Sequence, residues 1–88
     1  MPHVSIPPWD PDGPVLLREA LAAHLELRIQ AGEFAPGDRL PPERELATEY
    51  GVSAPTVRSA LDLLRRQGRL KTIHGKGTYV LEKQDPPA

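Results

Sequence analysis

The amino-acid sequence predicts a mainly α-helical chain that closes with a small β-hairpin, and three observations carry that expectation. Apolar residues recur at helical spacing along three separate runs. Glycines mark the ends of those runs. After Gly68 the pattern changes to two β-prone runs on either side of Gly75-Lys76-Gly77. Two short helices around a tight turn, preceded by one helix and followed by a hairpin, give an α+β winged helix-turn-helix of three helices plus a wing.

Residues 1–14 hold Pro2, Pro7, Pro8, Pro11 and Pro14, out of 11 prolines in the chain, and read as an extended or disordered Pro-rich arm. Trp9 within it has two readings, an exposed side chain or one packed on the domain or a partner subunit. The domain proper is expected over 15–81. Its first helix should start near Pro14–Leu16, with Asp12 and Gly13 as the cap region and Pro14 in the first turn, where a missing N–H is harmless. Leu17, Leu21, Leu25 and Ile29, with Ala20 beside them, form a core-facing stripe that Gly32 ends. His24 lies beside the stripe and reads as an ordinary surface or core histidine. Glu33 to Leu40 is a loop turning at Pro36-Gly37, with Phe34 and Leu40 folded back on the core and Asp38-Arg39-Leu40 able to add an edge strand.

The second helix opens at Pro41-Pro42-Glu43-Arg44 and runs to Tyr50, with Leu46 and Ala47 pointing inward. Gly51 makes the turn. Ser53 offers a hydroxyl where the third helix begins. Val57, Ala60, Leu61 and Leu64 then share one face. Pro55, Ser59, Asp62 and Arg66 occupy the opposite one, flanked by Arg58 and Arg65. That arrangement suits a helix that packs on its back and enters a DNA major groove with its front. Asp62 is expected to pair with Arg58 or Arg66. Leu70–His74 and Thr78–Leu81 form the hairpin. Leu70 and Ile73 cannot share one face of a regular strand, so a bulge or a start after Leu70 is expected. Residues 82–88, with Pro86-Pro87, read as a loose tail.

The net charge of −1 conceals a strong asymmetry. Residues 1–33 carry −3 and residues 34–52 carry −2, whereas residues 53–83 carry +5. The positive field therefore lies on the groove helix and the hairpin, which is what docking to phosphates requires. Arg65, Arg66, Arg69 and Lys71 read as a phosphate-facing rim. With no cysteine, disulfides and thiolate metal sites are excluded, and three scattered histidines suggest no metal site. No cofactor and no catalytic residue is expected: there is no nucleophile–base pairing, and Gly75-Lys76-Gly77 is too short to cradle a nucleotide. No run is apolar enough to span a membrane, and the first residues lack the pattern of a secretion signal.

The run Gly32…Pro36-Gly37-Asp38-Arg39-Leu40-Pro41…Glu43-Arg44-Glu45-Leu46-Ala47…Gly51-Val52-Ser53…Thr56-Val57-Arg58…Gly68…Gly75-Lys76-Gly77-Thr78-Tyr79-Val80 closely resembles the DNA-binding domain of the GntR family of bacterial transcription regulators. The resemblance covers about residues 15–81. It implies a cytoplasmic, nucleoid-associated homodimer that binds double-stranded DNA at short palindromic operators, usually as a repressor. It places DNA contacts at Arg44 on the second helix, at Ser53, Thr56 and Arg58 on the groove helix, and at His74, Gly75 and Lys76 on the wing tip. Ala54, Pro55, Ser59 and Arg66 complete the candidate set on the exposed side of the groove helix.

Three departures from the family pattern stand out. Pro42 replaces a small hydroxyl residue, which leaves the second helix without its usual side-chain cap. Ala54 stands where the family often has arginine. The larger C-terminal effector domain usual in the family is not expected within these 88 residues. The competing reading is a winged-helix module used for protein–protein contact, which the net acidity and Ala54 would suit.

Overall fold

A computed structural model of the chain describes residues 6–13 and 15–82. Three helices, α1 (Leu17–Gln30), α2 (Glu43–Tyr50) and α3 (Ala54–Arg66), precede the strands β1 (Leu70–Ile73) and β2 (Gly77–Val80). The strands pair antiparallel with Leu70 opposite Val80 and Ile73 opposite Gly77. This is the expected winged helix-turn-helix.

α3 is the central element, packed against α1, α2 and β1. Its inward residues Val57, Ala60, Leu61 and Leu64 are all buried, as their spacing required. They meet Leu21, Leu25 and Ile29 of α1, Leu46 and Tyr50 of α2, and Leu40, Leu70 and Val80 in one core. Full burial of each Leu or Val stabilises the fold by about 1.5–3 kcal/mol. The apolar seam of α1 is shifted from the expected one. Leu17 and Ala20 are half-buried, and Ala22 and Arg28 join the buried set.

α1 begins later than its sequence suggested. Leu16 is the N-cap, with no side-chain cap. Asp12 and Gly13 belong instead to a turn made by Asp10, whose carboxylate accepts from the Asp12 N–H at 3.0 Å. The expected role of Pro14 lies outside the described residues, as does the tail beyond Glu82. Trp9 is resolved in favour of packing, since it lies half-buried against the core. Pro42 is the N-cap of α2 and provides no side-chain cap, as expected.

At the helix-turn-helix joint Gly51 takes φ 70, a left-handed conformation that strains any residue with a Cβ. The Val52 N–H then returns to the Ala47 carbonyl at 3.0 Å. On the hairpin, Asp38 to Leu40 adds the anticipated edge: the Leu40 N–H donates to the Thr78 carbonyl at 2.8 Å and Val80 N–H to the Asp38 carbonyl at 2.9 Å. The conflict between Leu70 and Ile73 is not relieved by a bulge or a later start. The register is regular; Leu70 is 2% exposed and Ile73 simply turns outward, 38% exposed. A four-residue strand needs only one anchor at its buried end, so the second apolar residue is free to face solvent.

Candidate nucleic-acid interface

The candidate surface is built around the start of α3. Ser53 caps this helix: its Oγ accepts from the Thr56 N–H at 3.2 Å and lies 2.9 Å from the Thr56 hydroxyl. Ala54 and Pro55 fill the first turn, where proline's missing N–H leaves nothing unsatisfied. Because Ser53 and Thr56 engage each other, their oxygens are fixed at the tip of the helix. Arg58 and Ser59 follow on the exposed side, and Arg66 lies two turns further along the same side.

Arg58 does not pair with Asp62. Its Nε donates to Glu43 at the start of α2, at 3.0 Å, so it spans the two helices of the motif. The side chain remains 63% exposed. An exposed pair of this kind contributes only about 0–1 kcal/mol, so a phosphate could displace the carboxylate at little cost. Asp62 instead pairs with Arg66 at 2.9 Å and approaches Arg65 at 3.6 Å. The remaining α2 candidate, Arg44, is exposed.

His74, Gly75 and Lys76 form the exposed turn of the hairpin, closed by the Lys76 N–H donating to the Ile73 carbonyl at 3.0 Å. Between this tip and the start of α2, with Leu61 of α3 on its border, runs an open groove of about 410 Å³ whose lining includes Arg39, Glu43, Thr72, His74 and Lys76. Gly77 at the tip has φ 127, and a Cβ there would lie 2.7 Å from the Arg39 Nε. Glycine thus lets the Arg39 guanidinium lie across the wing.

Sequence reasoning missed Glu43 as the partner of Arg58, because the two are 15 residues apart and no local pattern links them. It also missed how the wing is tied to the groove helix. Arg65 Nη1 donates to the Thr72 hydroxyl at 3.0 Å, and Thr72 reaches Thr78 across the hairpin at 3.0 Å. Arg69 is withdrawn from the expected phosphate rim. It forms a close pair with Glu26 of α1 at 2.7 Å, with its side chain only 12% exposed. A rim arginine must be free to reach outward, and this one joins α1 to the strand base, where it also donates to the Leu81 carbonyl.

Behind the surface, Arg28 is buried and bonded to Glu33, Glu49 and the Tyr50 hydroxyl. Its hydrogen bond to Glu33 holds the guanidinium above its already high ordinary pKa, against the effect of burial, and holds the Glu33 carboxyl below the usual carboxylate range. Burial pushes the Tyr50 hydroxyl up, partly offset by Arg28. A buried charge is tolerated only when paired in this way, so the network fixes α2 against α1.

Residues 17–80 match the family model described as bacterial regulatory proteins, gntR family. The chain belongs to the gntR family. Among relatives of the GntR chain, the mannosyl-D-glycerate transport/metabolism system repressor MngR of Escherichia coli K12 is 47% identical over 68 residues, which are 77% of this chain and 28% of MngR. The repressor NagR of Bacillus subtilis 168 is 39% identical over 67 residues. The chain spans 28% of the length of these curated relatives. Among solved structures, YtrA of Sulfolobus acidocaldarius, a GntR-family transcription factor, superposes with a TM-score of 0.78 at 30% identity, covering 91% of this chain and 84% of YtrA. The DNA-binding domain of AraR in complex with operator ORR3 gives 0.69 at 34% identity, covering 75% of this chain and 81% of that one. No helix among the described residues is long and apolar enough to cross a membrane.

Proposed function

We propose that this GntR-family domain binds duplex DNA sequence-specifically for a transcription regulator, a repressor that meets a palindromic operator as a homodimer in the bacterial cytoplasm, at the nucleoid. In this reading residues 15–81 are the DNA-binding domain, 1–14 an arm and 82–88 a tail. The observation that carries it is the shared aspect of the start of α3 and the wing. Arg58 is exposed on a helix whose back is fully buried, and its partner Glu43 borders the same open groove as the wing-tip residues His74, Gly75 and Lys76. The likeness to the operator-bound AraR domain supports the same reading.

α3 enters the major groove, where Arg58 offers a forked donor to a guanine edge or a phosphate. Ser53, Ala54, Pro55, Thr56 and Ser59 line the approach, and Arg44 and Arg66 hold backbone phosphates. His74, Gly75 and Lys76 reach the neighbouring minor groove. Phosphate contacts fix position and the α3 side chains supply sequence preference. No cofactor and no catalytic step enters this scheme.

Selection of bound duplexes from a random pool tests it. Two half-sites related by a two-fold axis are expected. For two protomers making about three phosphate contacts each, the slope of log K against log salt should be roughly −5. A flat salt response would count against this reading, and Arg58→Ala separates it from the protein-contact module: the regulator should lose DNA binding, whereas an adaptor should bind its protein partner as before.

A further inference from the structure

The surface of α3 is flanked on two sides. The wing groove borders one. On the other, an open cleft of about 490 Å³ lies between α3 and the first turn of α1. Arg18, Arg58, Ser59, Asp62, Arg65 and Arg66 line it, so four guanidinium groups face a single carboxylate. A second, adjoining cleft continues past Thr56 and Pro55 and is also bordered by Arg18 and Ser59. The two together follow one side of α3 along most of its length.

Arg18 is the unusual member. Arg58 has Glu43, and Arg65 and Arg66 share Asp62. Among the described residues no ion pair or side-chain hydrogen bond engages Arg18, which is exposed. It also sits in the first turn of α1, where the unpaired N–H groups of the helix already make the potential positive. A free cation there is mildly unfavourable for the isolated domain and becomes favourable when an anion arrives.

We propose that this α1–α3 cleft seats a backbone phosphate of the bound duplex, with Arg18 as a positioning residue that no motif of the groove helix or wing contains. The inference rests on the reading of α3 as the groove helix. A helix lying in a major groove about 12 Å wide has a phosphate backbone on both sides. The wing groove faces one of those walls and the Arg18 cleft faces the other. Ser59 supplies a hydroxyl donor, and Arg66 can exchange Asp62 for phosphate, being 75% exposed. Because a phosphate carries no base identity, Arg18 contributes register and affinity without choosing sequence.

The test uses a duplex recovered from the random pool and the chain with Arg18→Gln. The expected result is a loss of affinity of roughly fivefold at physiological salt, equal across related sequences, and a salt slope shallower by about 0.9 for each protomer. Thermal stability should be unchanged or slightly higher, since among the described residues the side chain has no partner to lose and its charge at the helix start is mildly unfavourable. Replacing single phosphates by neutral methylphosphonates should reveal one position per half-site that weakens wild type but not Arg18→Gln, and Arg18→Lys should restore sensitivity there. If Arg18→Gln keeps wild-type affinity and slope, the proposal is overturned. A variant that changes which bases are preferred would overturn it too, by making Arg18 a base reader. Absence of salt-dependent binding by the wild-type chain would refute the DNA-binding reading itself, which separates the two failures.

Discussion

The indole N–H of Trp9 donates to the backbone carbonyl of Tyr50 at 2.8 Å. That carbonyl belongs to the last residue of α2, immediately before the turn at Gly51. The orphan acceptor at a helix end is therefore satisfied by a residue 41 positions earlier in the chain. The ring also stands edge-on to Tyr50 at 5.1 Å and to His24 at 5.7 Å. His24 completes the clasp, with one ring nitrogen 2.8 Å from the Tyr50 hydroxyl and the other 3.1 Å from the Pro7 carbonyl. The Pro7 carbonyl can only accept, so His24 Nε2 donates to it, and in that tautomer of the neutral ring Nδ1 accepts from the Tyr50 hydroxyl. The arm is thus fastened to the helix-turn-helix joint.

Trp9→Ala should lower stability by about 2 kcal/mol, the loss of a half-buried aromatic and its hydrogen bond. Urea unfolding followed by circular dichroism measures this. Trp9 is the only tryptophan, so its emission also reports the arm. Coincident fluorescence and dichroism transitions are expected; an emission shift well before the helices melt would mean that the arm is not part of the cooperative unit.

Acid should loosen the Arg28 network. The Glu33 carboxyl is held below its ordinary value of 4.5 by its hydrogen bond to Arg28. A depressed carboxylate stabilises the fold above its unfolded pKa, and that contribution disappears as pH falls through the lower folded value. The loss therefore begins near pH 4.5 and deepens below it. It should be modest, because the Glu33 side chain is 46% exposed. In thermal melts from pH 6 to pH 3, Glu33→Gln should show a flatter acid limb than wild type, and equal slopes for the two would rule this cause out.

Two changes at Ser53 separate folding from binding. Ser53→Ala removes the cap of α3 and should cost about 1 kcal/mol. Ser53→Asp restores an N-cap acceptor, so stability should stay near wild type, yet it places a carboxylate where α3 meets phosphate. DNA affinity should then fall at least roughly tenfold with little change in melting temperature. Intact affinity in Ser53→Asp would show that the tip of α3 points away from DNA.

The pairing of Glu43 with Arg58 makes the carboxylate a competitor of DNA for the same guanidinium. Glu43→Gln should change stability by less than about 0.5 kcal/mol and raise non-specific affinity several-fold by freeing Arg58 and removing a negative charge. Arg58→Ala should weaken binding by roughly tenfold or more. Anisotropy titrations with selected and scrambled duplexes would measure both, and a drop in non-specific affinity on Glu43→Gln would contradict the competition.

The register of the wing gives a sharper packing test. Ile73→Thr should be nearly neutral, within about 0.5 kcal/mol, because the side chain faces outward and threonine suits a strand. Leu70→Thr should cost about 2 kcal/mol or more by putting a hydroxyl into the core. Similar melting temperatures for the two variants would indicate that the strand has slipped.

The sequence alone determined the elements and the face each presents. Helical spacing from Val57 to Leu64 put the back of α3 in the core, Gly51 and Ser53 set its start, and the glycines around Lys76 made the wing tip. These are local properties, written in neighbouring residues through backbone conformation and periodicity. Tertiary structure alone decided which side chains meet across elements: Trp9 on Tyr50, Arg58 on Glu43, Arg69 on Glu26, and Arg18 beside Ser59 and Arg66. Charged and aromatic side chains have many possible partners at long separation. Only the packing of α1 and α2 on α3 brings one of them within reach.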